Sequence, residues 1–206
     1  MKEKRKDLTP PYGNLARLIR PFPDFDASFI KPVRQRAVEL LRLKEGDRVL
    51  DVGCGPGGSF PYLVRAVGQS GQVVGVEISP VISINARRRI DKNGWRNVDV
   101  IEADARTVHL TGTFDGLLMF ATDVILLEEA LENIFPHLGD NARVVVFGAK
   151  LSSDRLGKIW NPLLRMLFKL TFSTTPRPDY EPWRILARHV DKLDMEEYFF
   201  GLMFLA

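Results

Sequence analysis

The chain predicts an α/β fold, doubly wound around a mainly parallel sheet. Short β-branched runs alternate with longer segments of helical periodicity, the order that builds a parallel sheet with helices as crossovers. The stretch "VLDVGCGPGGSF", Val49 to Phe60, sets a glycine-rich turn directly after the first such run, with Gly53, Gly55 and Gly58 in the spacing G-x-G-x-x-G. In a strand-to-helix turn these glycines let the backbone approach a ligand that side chains would push away. Alone, the spacing fits a dinucleotide, a mononucleotide, another adenosine-containing cofactor, or a tight turn with no ligand.

Taken in order, the elements begin with Ser28 to Leu43, whose apolar positions fall at helical spacing behind Ser28 as a cap. This helix is expected to pack against the sheet edge or to roof the ligand crevice. Strands are expected at Asp47 to Val52, Gln72 to Glu77, Asn97 to Ala103, Thr113 to Phe120 and Ala142 to Ala149. Helices are expected at Gly57 to Val67, Pro80 to Lys92 and Val124 to Leu138, the last stopped by Gly139. Beyond the fifth strand, Asn161-Pro162 reads as a cap and first-turn proline opening a helix to about Phe172. A polar turn and a helix around Trp183 to Val190 follow. In the closing "LDMEEYFFGLMFLA", Gly201 divides two strand-like runs, which suggests an antiparallel hairpin or a bulged final strand.

With 206 residues the chain has the length of one sizeable domain, and 45% hydrophobic with 27% charged residues is the balance of a soluble globular protein. No uninterrupted apolar stretch is long enough to span a bilayer, and the charged "MKEKRKDLTPPYG" has no apolar core behind it, so no secretory signal is expected. The single cysteine, Cys54, excludes an internal disulfide and fits the cytoplasm. The net charge of +3 is concentrated in "KEKRK" at the start and "ARRRI" at Ala86 to Ile90, runs that read as a solvated tail and a solvated helix face in preference to a nucleic-acid or lipid contact.

Ligands of open α/β sheets lie beyond the carboxyl ends of the strands. Glu77 ends the second strand, 24 residues beyond Gly53, where an acceptor-only carboxylate suits ribose hydroxyls. Asp104 follows the third strand, where it suits an adenine amine, with the Ala105 amide toward a ring nitrogen. Asp51, two residues before the first glycine, suits a cationic group and disfavours a pyrophosphate, and hence an NAD-dependent reading. Singly, each has a structural alternative: Asp51 stabilises the turn, Glu77 and Asp104 are solvated strand-end acids, and Ile78 is core.

Together, "VLDVGCGPGG", "VVGVEIS" and "VIEADA" resemble the first three motifs of class I S-adenosylmethionine-dependent methyltransferases, over about Gly46 to Lys150. The resemblance implies a Rossmann-like, mainly parallel seven-stranded sheet with an antiparallel last strand. It implies S-adenosyl-L-methionine as cofactor and S-adenosyl-L-homocysteine as product. Asp51, Gly53 and Gly55, with Cys54 and Gly57 of the same turn, would hold the methionyl end; Glu77 would bind the ribose and Ile78 the adenine face. Asp104 and Ala105 would read the adenine edge, and the Phe120 carbonyl would meet the ammonium. Within a single domain over 1–206, residues 1–45 are expected as an N-terminal helical cap, 46–150 as the cofactor-binding core and 151–206 as an acceptor-side segment with the terminal strands.

Methyl transfer from a sulfonium needs little beyond alignment of the acceptor, so no catalytic residue is named; the scattered His109, His137 and His189 lack metal spacing, and no metal is expected. "MFATDVI" after the fourth strand lacks the planar-amine tetrapeptide of amino-methyltransferases. Tyr12, Asp123 and Trp183 are the acceptor-side candidates, Asp123 being equally a helix cap and Tyr12 equally packing. The apolar, base-studded Ile159 to Phe172 suits the lid of a greasy pocket, a membrane-surface element, or a core helix with snorkelling bases. The expected activity is methyl transfer to a small, lipophilic acceptor; an RNA methyltransferase and a non-catalytic cofactor-binding protein are the alternatives.

Overall fold

The computed structural model describes residues 30–122, 128–151, 158–162, 181 and 183–206. The first helix, α1 (Lys31–Leu41), carries Pro32 in its first turn, where the missing amide costs nothing, and turns Val33, Ala37, Val38 and Leu41 inward. Five strands follow in α/β alternation: β1 (Arg48–Val52), β2 (Gln72–Glu77), β3 (Val98–Glu102), β4 (Phe114–Phe120) and β5 (Leu138–Ala149). Between them lie α2 (Phe60–Val67), α3 (Pro80–Asn93) and α4 (Glu128–Ile134); α5 (Trp183–Leu186) and the hairpin β6 (Glu196–Tyr198) and β7 (Met203–Leu205) close the described chain.

The sheet runs β3-β2-β1-β4-β5-β7-β6. The pairs β1–β2, β1–β4, β2–β3 and β4–β5 are parallel, whereas β7 lies antiparallel to both β5 and β6, as the expected seven-stranded sheet with a reversed last strand requires. Central strands are apolar on both faces because both faces are covered. One face buries Val49, Val73, Leu118 and Phe147 under Val33, Ala37, Phe60 and Leu63. The other buries Leu50, Val74, Leu117 and Met119 with Leu131, Ile134, Leu186 and Phe204. Thus α1 packs on the face over β4 and β5 and not along the edge. No described helix is long and apolar enough to cross a membrane.

Five boundaries differ from expectation. The helix after the glycine turn begins at Phe60, not Gly57, because Gly57 has φ +78° and the Phe60 ring lies 2.5 Å from where its Cβ would stand. The helix before β5 ends at Ile134 and tightens into a 3-10 turn at Phe135–His137, since Pro136 offers no amide to prolong it. Gly139 is therefore no helix stop but part of β5, which pairs Leu138 with Phe114 and Arg143 with Gly116 and bulges between them. Residues 158–160 are already helical ahead of Asn161 and Pro162, so Asn161 does not cap that helix, and α5 stops at Leu186, short of Val190. Ser28 lies outside the described residues; α1 itself has no side-chain cap.

Candidate functional site

The carboxyl ends of β1, β2 and β4 meet around the glycine turn. The amides of Gly53 and Cys54 both donate to the Val76 carbonyl, at 2.8 and 3.1 Å, which ties the turn to β2. Cys54 is buried, its Sγ 3.6 Å from the Gly55 carbonyl, and burial pushes its thiol well above the ordinary range. Gly53 has φ +70°, and a Cβ there would stand 2.6 Å from the Cβ of Thr122 beyond β4. Beside Gly55, by contrast, the space is open.

Glu77 braces this turn from within. Its Oε2 accepts from the Gly55 amide at 3.1 Å and its Oε1 from the Ser79 amide at 2.8 Å. Burial pushes its carboxyl up, and the amides of Ser79, Gly55 and Ile78 oppose that. An ionised carboxylate offers about four acceptor positions, so two amides leave capacity for two hydroxyls. Next to it Ile78 is 41% exposed, an apolar side chain facing outward instead of into the core.

Asp51 is 1% exposed, and neither of its oxygens accepts a hydrogen bond. A carboxylate left so is costly unless a cation completes the site. Burial pushes its carboxyl up to about 7, with Arg34 and the Ser59 hydroxyl pulling down and Glu77 pushing up. Arg34 comes from α1: its Nη1 donates to Ser59 Oγ at 2.8 Å, and its guanidinium carbon lies 4.1 Å from the Phe120 ring centroid. Phe120 stacks on Phe147 at 4.4 Å. Arg89 of α3 reaches the turn from the other side, Nη1 donating to the Gly57 carbonyl at 3.2 Å.

Asp104 behaves differently from its expected part. It holds Arg106, accepting from Nε at 3.0 and 3.1 Å and from the Arg106 amide at 2.9 Å, and this pairing keeps its carboxyl below the usual range. Ala105 is buried, and its carbonyl accepts from Asn133 Nδ2 at 3.1 Å. Trp183 stands apart from the turn, edge-on to Phe204 at 5.3 Å, with the Lys150 ammonium 5.5 Å from its ring centroid. Lys150 also pairs with Glu197. Tyr12 and Asp123 lie outside the described residues.

The structure therefore gathers Asp51, Gly53, Cys54, Gly55, Gly57, Glu77 and Phe120 at one place, with Ile78 at its rim. The residues fit the cofactor that the resemblance implies: an unpartnered buried carboxylate for an ammonium, open space beside Gly55, and spare acceptor capacity on Glu77. Sequence reasoning missed Arg34, Ser59, Arg89 and Thr122. Arg34 carried a readable signal, because positions 34, 37, 38 and 41 make one i, i+3, i+4, i+7 stripe in which only the first is charged. The run Arg87–Arg88–Arg89 is the expected solvated face only in part: Arg87 and Arg88 are exposed, Arg87 pairing with Glu102 at 3.5 Å, whereas Arg89 is buried at the turn.

Residues 28–119 match the family model for protein-L-isoaspartate(D-aspartate) O-methyltransferase. The chain is 33% identical over 103 residues to aklanonic acid methyltransferase DauC of Streptomyces sp. (strain C5), covering 50% of this chain and 47% of that protein. It is 28% identical over 156 residues to protein-L-isoaspartate O-methyltransferase 2 of Archaeoglobus fulgidus, covering 71% of each. The match thus spans about half the length of the first of these relatives. Its fold superimposes on the crystal structure of a SAM-dependent methyltransferase from Aquifex aeolicus with a TM-score of 0.66 at 22% identity, over 92% of this chain and 95% of that one.

Proposed function

We propose that the chain is a class I S-adenosylmethionine-dependent methyltransferase, as its similarity to methyltransferases supports, and that it transfers the cofactor's methyl group to a small, lipophilic acceptor. The observation that carries the cofactor half of this reading is Asp51, a buried carboxylate without a hydrogen-bond partner two residues before the glycine turn. A pyrophosphate would be repelled there, whereas an ammonium completes the site.

S-adenosylmethionine, when bound, would supply a methyl activated on a sulfonium: the acceptor's electron pair would form the new bond and the C–S pair would stay on sulfur, giving a neutral thioether. The chain's own residues bind and orient. Asp51 takes the ammonium, the open side of Gly55 admits the methionyl chain, Glu77 accepts from the ribose while bracing the turn, and Ile78 covers the adenine. Asp104 serves the adenine edge only through whatever acceptor capacity Arg106 leaves it, and Ala105 backs it from below. The division of labour we propose follows the chain: 1–45 as helical cap, 46–150 as cofactor core, 151–206 as acceptor side.

The acceptor class rests on the carboxyl end of the sheet beyond β5. Phe199 and Phe200 stand on the β6–β7 turn at that end, Phe200 68% exposed, and Ile159 and Trp160 are exposed in the preceding helical turn. Trp183 adds an aromatic wall. Apolar surface of this kind favours a greasy acceptor, met in the cytoplasm or at a membrane surface. RNA is disfavoured because Arg87 and Arg89 are engaged within the fold. The family model's match ends at residue 119, before any of these acceptor-side residues, while the Archaeoglobus fulgidus isoaspartate methyltransferase matches over 71% of the chain, so a protein acceptor is the reading that competes with a small molecule.

Purified protein incubated with cell extract and methyl-labelled cofactor tests the reading. Label should enter the organic phase. Label confined to RNA or to protein would overturn the acceptor class, and failure to bind the cofactor at all would overturn the whole.

A further inference from the structure

Away from the glycine turn, α1 and α2 enclose a groove that takes no part in methyl transfer. The helices run side by side in one direction: Arg34 near the start of α1 bonds Ser59 at the head of α2, and the groove opens at their other ends. It is a cavity of about 210 Å³ with apolar walls from Val38, Leu43, Tyr62 and Ala66, and with Arg42 and Arg65 exposed beside them. Neither guanidinium has an ion pair among the described residues. Glu39, the one acid of the lining, accepts from Gln35 Nε2 at 3.0 Å and lies 4.0 Å from Arg36 Nη1. Two cations against one anion leave the lining with a net charge of +1. Nor are the arginines needed to close the helix ends, since the carbonyls of Glu39, Val64 and Val67 accept from the amides of Arg42, Gly68 and Gly46.

We propose that this groove is a second ligand site, for a small organic anion whose oxyanion head, carboxylate or phosphate, meets Arg42 and Arg65 while its apolar body lies against Tyr62, Val38, Leu43 and Ala66. A guanidinium is a weakly hydrated planar fork that suits an oxyanion, and here two of them come from different helices to one opening. The volume is below the roughly 300 to 1,000 Å³ of sites for drug-sized molecules, so the occupant is smaller than these. Arg42 adds an independent sign. Its φ of +50° is the left-handed conformation that a helix end ordinarily gives to glycine, and any residue with a Cβ is strained there. The strain falls at a position whose side chain lines the groove. None of the lining residues belongs to the glycine turn or to a strand, so the site is distinct from the cofactor's and stands without it.

Phenyl phosphate and phenylacetate present the two heads on similar rings, and the tighter binder names the head. Each is titrated into the full chain with S-adenosylhomocysteine present, and backbone amide NMR shifts locate the probe whether or not that cofactor binds. Saturable shifts are expected over residues 35–43 and 62–66, with a dissociation constant at or below about 1 mM for the better probe. Inorganic phosphate has no body for the apolar wall and phenol no anionic head, so each should bind at least about tenfold more weakly. Arg65→Gln should weaken the better probe about fivefold to twentyfold. Arg42→Gly removes the guanidinium and the backbone strain together, so the melting temperature should hold or rise while affinity falls by a similar factor. An arginine with a structural role alone would change stability without any binding in the wild type. The proposal is overturned by no saturable shift with either probe up to about 10 mM, by shifts centred on the glycine turn, or by undiminished affinity in both variants. Inorganic phosphate binding as tightly as the better probe would mean an adventitious ion only, and overturns it as well.

Discussion

Gly53 and Thr122 meet across the carboxyl ends of β1 and β4, so closely that a Cβ on residue 53 would lie 2.6 Å from the Thr122 Cβ. Gly53→Ala therefore meets two penalties, the left-handed backbone at φ +70° and this overlap, and should destabilise the protein by roughly 2 to 4 kcal/mol. Thr122→Gly in the same chain takes away that Cβ, so it relieves the overlap and leaves the backbone strain. Denaturant titration of the two single variants and the double should show a coupling of about 1 kcal/mol. Strict additivity would mean that the two residues do not touch in solution.

The carboxyl of Asp51 links cofactor binding to protons. In the folded protein it lies at about 7, against 3.8 for the ordinary group, so between these values the native state holds a proton that the unfolded chain has lost. Stability without cofactor is highest at the acid end of this window and falls as pH rises toward 7, by up to roughly 4 kcal/mol. Asp51→Asn should remove that fall. The cofactor's ammonium favours the ionised carboxylate, so below about 7 binding expels a proton and affinity rises with pH, levelling above it. Calorimetry in two buffers of different ionisation enthalpy reads the proton count directly; proton uptake on binding would reverse the assignment.

Glu77 joins two tasks, and substitution should separate them poorly. Glu77→Ala leaves the Gly55 and Ser79 amides without their acceptor and should cost roughly 1 to 3 kcal/mol of stability. Cofactor affinity should fall by a similar amount, because ribose hydroxyls lose a charged acceptor. Thermal melts with and without S-adenosylhomocysteine give both numbers. An unchanged affinity would move the ribose elsewhere.

Lys150 and Glu197 form a pair with unequal members. The lysine side chain is 10% exposed and the glutamate 42%. Glu197→Gln strands a buried ammonium, whereas Lys150→Met returns a half-exposed carboxylate to water and leaves an apolar chain against Trp183. Urea titration should find the glutamate substitution the more harmful, by about 1 to 2 kcal/mol. The reverse order would mean that the lysine is the better solvated of the two.

Much of this arrangement can be read from the chain because it is local. β2 was expected over Gln72 to Glu77 and is found there, since "QVVGVE" is β-branched, buried on both faces and bounded by polar turns. Asp51, Gly53 and Glu77 declare themselves through spacing within a strand-turn-helix unit. What stays hidden depends on distant partners. Nothing near Ser59 announces an arginine 25 residues earlier, and "ARRRI" reads as one basic patch although its members go to Glu102, to solvent and to the glycine turn. Gly139 looked like a helix stop because the sequence does not show that Leu138 already pairs with Phe114.

The reversed strand β7 has a consequence for how the molecule is made. It lies between β5 and β6, hydrogen-bonded to both, although it follows them in the chain. A nascent chain that has not yet released residues 203–205 from the ribosome has β5 as a bare edge and β6 with no neighbour to join. The cofactor half of the sheet has all its strands by then, so it is free to fold first, during synthesis. The other half waits on the final insertion, a long-range pairing of the slow kind. Until that insertion the unpaired edge of β5 is open to other chains, and lengthening the wait favours aggregation over native closure.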